Sequence, residues 1–219
     1  MDFATDLPWP FCLTWCDDID VTTLVSALRA VPTDDDEEGH AAIVAPPRNG
    51  WTEILELTAS GFSLTAQIIA LSQNSRRVFT VFWDIDGNNS VTYAVGGRIR
   101  VRFVPVMFEP ITAMFNVNDP SHRQGLDPDA INPYLEGLVF ESGSLARHQS
   151  GETRGGDSND EMPVREVWQE SCIRIGERLT GNPFDLDRFF QPDVRFLRID
   201  YDALYEEYGD PYSEPGSTV

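Results

Sequence analysis

Residues 77–105 read RVFTVFWDIDGNNSVTYAVGGRIRVRFVP. Three runs rich in β-branched and aromatic residues are separated by Asp-Gly-Asn-Asn and by Gly-Gly. Both separators supply the positive φ angles that tight hairpin turns need. The stretch predicts a three-stranded antiparallel meander over 77–104. Phe79, Val81 and Trp83 share one face of the first run, Val91, Tyr93 and Val95 one face of the second, and Ile99, Val101 and Phe103 one face of the third. Bringing these sets to the same side requires an odd number of loop residues at each turn, or a bulge. The other face then carries Thr80, Phe82, Thr92, Ala94, Arg98, Arg100 and Arg102. The expected fold is α+β: an antiparallel sheet centred on this meander, with helices packed on one face, that of Phe79, Val81 and Trp83.

Working outward, FCLTWC (11–16) predicts a short buried strand. A helix over about 20–30 follows, capped by Asp18 or Asp20, with Leu24, Val25 and Leu28 at helical spacing. GWTEILELT (50–58) alternates as a half-buried strand with Glu53 and Glu56 between its apolar residues, and LTAQIIALS (64–72) reads as a short helix. Residues 107–128 have no clear period and are expected to be a long packed loop, and 127–140 to be helical in part. VREVWQESCIRIGERLTG (164–181) carries the clearest helical stripe, Val164, Val167, Trp168, Cys172, Ile175 and Leu179, stopped by Gly181. PFDLDRFF (183–190) adds a short helix and VRFLRIDY (194–201) a strand. The Gly/Ser-rich residues 142–163 read as a flexible polar insertion. Residues 1–200 are thus expected to form a single α+β domain, and 201–219 an acidic loose tail.

Charge bounds the function. The chain has 36 Asp and Glu against 16 basic residues, all arginine, and a net charge of −20. Arginine without lysine suggests a GC-rich coding bias in the source. The flanks are the acidic parts, with net −8 over 1–49 and −9 over 141–219, against −3 over 50–140. Such a chain is repelled by nucleic acid and by anionic membranes and attracted to a basic partner. No apolar run approaches the roughly 18 residues of a membrane span. Acids and prolines at the start do not resemble a secretory leader, so a cytoplasmic location is expected. Cys12, Cys16 and Cys172 form neither a disulfide framework nor a metal set and read as small buried side chains.

Asp84-Ile85-Asp86-Gly87 is similar to the DxDG nucleophile motif of haloacid-dehalogenase-type phosphatases. That chemistry needs a helix after the motif and a cation, usually lysine, on the phosphate. Here a strand follows and the chain has no lysine, so the hairpin-turn reading is preferred. His40, His122 and His148 fall in loop-like segments without partners at ligand spacing. Arg98, Arg100 and Arg102 are the one basic concentration and could hold an anion, or could simply be a solvated, ion-paired sheet face. No cofactor is implied.

The order of landmarks resembles an uncharacterised bacterial family, catalogued as domain of unknown function number 6461. The landmarks are the FCLTW strand and its acid-capped helix, Gly50-Trp51 opening GWTEILEL, the meander ending RVRFVP, the LDPD segment, and a late helix ending Glu177-Arg178-Leu179-Thr180-Gly181. The resemblance covers most of residues 10–190 and implies no known reaction. The function expected from the sequence is a non-catalytic acidic interaction protein. It would bind a basic protein partner, for example as an immunity-type neutraliser. The acid run Asp34, Asp35, Asp36, Glu37 and Glu38 is its candidate contact. The alternative is an enzyme or small-anion-binding protein with a site assembled from scattered residues including Arg98, Arg100 and Arg102.

Overall fold

A strand whose residues are apolar at both odd and even positions must be covered on two sides, and 77–83 is such a strand. In a computed structural model, which describes residues 10–34, 41–57, 64–84, 86–106, 119–140 and 167–208, this is what occurs. The strands are β1 (Phe11–Asp17), β2 (Val31–Thr33), β3 (Ala42–Val44), β4 (Trp51–Glu56), β5 (Arg77–Trp83), β6 (Asn89–Val95), β7 (Arg98–Phe103) and β8 (Arg195–Arg198). They form a single sheet in the order β2-β8-β3-β4-β1-β5-β6-β7, antiparallel throughout. The helices are α1 (Val21–Ala27), α2 (Leu64–Leu71), α3 (Val167–Thr180) and α4 (Tyr201–Tyr208). The fold is α+β.

The placement of helices corrects the sequence reading. On one face, Leu13, Trp15, Phe79, Val81, Trp83, Val91 and Phe103 pack under α3, through Trp168, Cys172, Ile175 and Leu179. On the other, Cys12, Cys16, Ile54, Val78 and Phe82 pack under α1, α2 and α4, through Leu24, Leu28, Leu64, Ile68 and Leu204. Helices therefore cover both faces rather than one, because Val78 and Phe82 need burial as much as Phe79 and Val81 do. Nor does the sheet centre on 77–104: β5, β6 and β7 lie at one end of it, and β4 and β1 are its middle.

Register follows from turn lengths. β5 and β6 are joined across five residues, 84–88, with Val81 opposite Val91 and Phe79 opposite Tyr93. Asp84 organises this turn: its carboxylate accepts from the backbone N–H of Asp86 at 3.0 Å and of Asn88 at 2.9 Å. Gly87 takes a left-handed conformation there, with φ 85°. β6 and β7 are joined by Gly96-Gly97 alone, and a register shift falls between Tyr93 and Ala94. Tyr93 pairs with Val101, but Ala94 pairs with Ile99. Ile99 thereby leaves the face of Val101 and Phe103, where its spacing had placed it.

At the centre, Gly176 lets α3 lie directly on the Trp15 ring. A Cβ at that position would come within 2.7 Å of the ring carbons. Trp83 packs nearby, stacked on Phe11 at 4.3 Å and edge-on to Trp168 at 5.5 Å between ring centres.

The end of the chain differs from expectation too. Residues 201–208, expected in a loose tail, form α4. Asp200 caps it by accepting from the Ala203 N–H at 2.9 Å, and Leu204 is fully buried. Tyr201, Leu204 and Tyr208 supply an apolar stripe that the surrounding acids conceal. Residues 209–219 and the insertion expected at 142–163 lie outside the described residues, as do Asp35, Asp36, Glu37, Glu38, His40 and His148.

Candidate functional site

Two glutamates of a strand that the sequence reads as half-buried, Glu53 and Glu56, are fully enclosed in β4. Neighbouring strands on both sides and helices on both faces leave them no route to water. Glu53, fully buried, points to the α3 face. Arg48 Nη2 donates to it at 3.2 Å and Arg188 Nη1 donates to its other oxygen. The same arginines continue outward: Arg188 donates to the Pro46 carbonyl and Arg48 to the Pro183 carbonyl. Asn182 Nδ2 donates to the Arg48 carbonyl at 2.9 Å, and Asn49 Nδ2 to Asn182 Oδ1 at 2.7 Å. Burial pushes the Glu53 carboxyl up, against the downward pull of Arg188 and Arg48. The net effect is to fasten the 182–190 segment onto the strand entry at 46–53.

Glu56 points to the opposite face and has no cation. Its carboxylate accepts from Gln67 Nε2 at 2.6 Å and from the Tyr201 hydroxyl, and Cys12 Sγ lies 3.9 Å away. Burial raises its pKa, as it raises those of Tyr201 and Cys12, the neighbouring Glu56 charge adding to both. This polar knot ties α2 and α4 to the sheet. The remaining thiols are also buried, and burial lifts Cys16 to about 12. A thiol held protonated is a poor nucleophile.

The segment fastened by Arg188 forms one wall of an open groove of about 940 Å³, whose floor includes Ile43, Leu57, Phe189 and Phe196. Consecutive phenylalanines divide the labour: Phe189 is buried in the core, while Phe190 is 68% exposed at the groove. Asp34, at the end of β2, and Arg195, on β8, also line it. Asp185, Asp187 and Asp193 are exposed on the same 182–196 stretch. Among its described lining residues there is no histidine, cysteine or serine. The arrangement can hold an apolar side chain with cationic neighbours; among the described lining residues, Asp34 and the Thr33 hydroxyl are the groups with acid-base or nucleophilic character.

Of the residues singled out from sequence, Asp34 lies at this groove. The arginines do not come together. Arg102 sits opposite Thr92 and donates from Nη1 to Thr65 Oγ1 on α2 at 3.3 Å. Arg100 falls at the register shift, in the step between the Tyr93–Val101 and Ala94–Ile99 pairs. Arg98 is exposed opposite Val95. The bulge thus splits a row that strict alternation would have kept on one face. His122 is half-buried in a 3-10 turn at Pro120–His122. Among the described residues, no group of three or more His, Cys, Asp or Glu side chains could hold a metal ion, and no helix is long and apolar enough to cross a membrane.

The Glu53 and Glu56 anchors were not readable from local sequence, because their partners stand far along the chain at Arg188 and Tyr201. The exposed Phe190 has a faint signal, a third aromatic in PFDLDRFF after Phe184 and Phe189, which the core takes up. The chain matches no protein-family model, no curated protein and no solved structure.

Proposed function

We propose that the protein is a non-catalytic acidic interaction module that binds a basic protein partner, with the groove beside Phe190 as the contact. The observation carrying this reading is the pairing of a large exposed aromatic with acids at an open apolar groove. Contiguous exposed apolar area with a polar, charged rim is the usual anatomy of a contact surface, and here Asp185, Asp187 and Asp193 on the adjoining stretch outnumber the single cation of the lining, Arg195. The disposition of arginines supports the same reading. Arg48 and Arg188 are taken up by Glu53, Arg77 by Asp17, Arg174 by Glu177, and Arg178 by the carbonyls of Tyr134 and Glu136. These five arginines are engaged within the molecule, so they subtract little from the acidic excess that a partner would meet. A partner presenting an apolar side chain flanked by Arg or Lys would match both parts, and neutralisation of a cationic toxin by an immunity-type protein fits this chemistry. A cytoplasmic location, and membership of the family numbered 6461, belong to the same proposal.

The test is capture of partners from the source cell with wild type and with Phe190→Ser, followed by stopped-flow kinetics on the captured protein. The reading requires a basic partner whose affinity drops at least about tenfold in the variant, since burying a phenylalanine is worth roughly 1.5–3 kcal/mol and 1.4 kcal/mol is tenfold. Its on-rate should fall between low and physiological salt. A neutral or acidic partner, an on-rate indifferent to salt, or full binding by Phe190→Ser would refute it.

A further inference from the structure

Away from the groove, a polar notch of about 590 Å³ opens between α1, the turn that joins α2 to β5, and the end of α4. Arg29, Arg76, Asn74, Gln73, Ser26 and Tyr208 are among its lining, and that lining holds no carboxylate. Arg29 and Arg76 are the charged side chains of that lining, and two carboxylates bond to it from outside, Glu207 to Arg29 and Asp20 to Thr23. Arg76 donates from Nε to the Leu71 carbonyl at 2.8 Å, which fixes the guanidinium plane and leaves its two terminal nitrogens unbonded among the described residues. Arg29 donates from Nε and Nη2 to a single oxygen of Glu207, at 2.9 and 2.6 Å, leaving Nη1 over. That pair is about half exposed on the arginine side, and exposed pairs are weak enough to be rearranged by a competing anion.

The backbone around the notch is also held in an uncommon form. Arg29, Asn74 and Ser75 have φ of 50°, 56° and 67°, three of the five left-handed non-glycine residues among those described. Such conformations are unfavourable for side-chain-bearing residues and persist where the surroundings impose them. Here they bring the Arg29 and Asn74 side chains to the same opening.

We infer that this notch binds a small tetrahedral oxyanion, a phosphate group either free or carried on a small molecule. The planar guanidinium of Arg76 suits a bidentate grip on two phosphate oxygens, Arg29 adds a second cation, and the Asn74 amide and Ser26 hydroxyl supply neutral donors. The net charge of −20 does not forbid it, since its field is screened beyond about 8 Å at physiological ionic strength while contacts within the notch are not. The site is independent of the proposed partner groove.

The test is calorimetric titration with inorganic phosphate at constant ionic strength, with ribose 5-phosphate as a second arm. Saturable binding of one equivalent is expected. Tighter binding of the sugar phosphate would assign the site to a phosphate monoester, and equal binding to the free ion. Arg76→Gln should weaken binding at least tenfold. Because Arg76 also bonds the Leu71 carbonyl, Ser26→Asp provides a second variant. It places a carboxylate at the exposed mouth of the notch without removing a bond, and should abolish binding in a protein with unchanged melting temperature. Arg98→Gln should leave binding as it was. Non-saturating heats, retention of binding in Ser26→Asp, or loss in Arg98→Gln would overturn the assignment.

Discussion

Replacing Glu53 with alanine tests whether the buried ion cluster holds the groove wall in place. The substitution removes the carboxylate that serves both Arg48 and Arg188, whose side chains are only 29% and 17% exposed. Arg48 Nε is already buried without a partner. Breaking one side of a buried ion pair costs about 3–5 kcal/mol, mainly through the charge left behind. Partial hydration of the two arginines favours the low end, about 3 kcal/mol. At roughly 2–4 °C per kcal/mol for a chain of this size, the melting temperature should fall by about 6–12 °C. Calorimetric or fluorescence melts at neutral pH give the number. A double-mutant cycle with Arg188→Met then separates the pair from the packing, and the two losses should be strongly non-additive. A loss below about 1 kcal/mol, or strict additivity, would show that Glu53 and Arg188 do not act together and that something else fastens 182–190.

Glu56 should behave differently because its partners are neutral. Burial raises its pKa, so the folded chain keeps this proton to higher pH than the unfolded chain does, and stability falls as pH rises from about 4.3 through the folded value. Urea melts across that window should show Glu56→Gln gaining on wild type as pH climbs; a pH-independent difference refutes this. Gly176→Ala should cost about 1–3 kcal/mol by overpacking against Trp15, and Trp15→Leu should recover part of it; a neutral Gly176→Ala would mean that α3 can lift off the sheet. Trp83→Ala should cost about 3–5 kcal/mol in chemical denaturation, and a loss under about 1 kcal/mol would contradict its stacking between Phe11 and Trp168.

What could be read locally was read from periodicity. The strand runs of 77–103 and the stripe of α3 are signals within a few residues of themselves, and the physics that selects them is equally local. Which faces are covered is a different matter. The apolar Val78 and Phe82 already indicated that the second face of β5 needed cover, but assigning α1, α2 and α4 to it depends on chain crossings that span much of the sequence. The placing of Glu53 and Glu56 between Trp51, Ile54 and Leu57 suggests a half-buried strand, yet β4 is central and buried throughout. A carboxylate can occupy such a strand only when Arg188 or Tyr201 comes to meet it from more than 130 residues away. The helix at 201–208 is hard to see in the sequence because its three acids equal its three-residue stripe in number and merge with the acids that follow, although the Asp200 cap is there to be read. The Arg98, Arg100 and Arg102 row failed through one extra residue in β7, which no pattern count locates. At the groove, Asp34 had been marked for its charge, whereas Phe190, the feature that gives the groove its apolar lip, had not.

The position of β8 carries a consequence for how the chain is made. Residues 195–198 lie between β2 and β3, which do not touch one another. Throughout synthesis from residue 44 to residue 198 the outer border of β3 has no strand to receive its backbone groups. At 5–20 residues per second that interval is on the order of ten seconds. An unpaired strand border is a template for other chains, so the nascent protein passes through a long adhesive phase that ends only when its last strand arrives to close the gap.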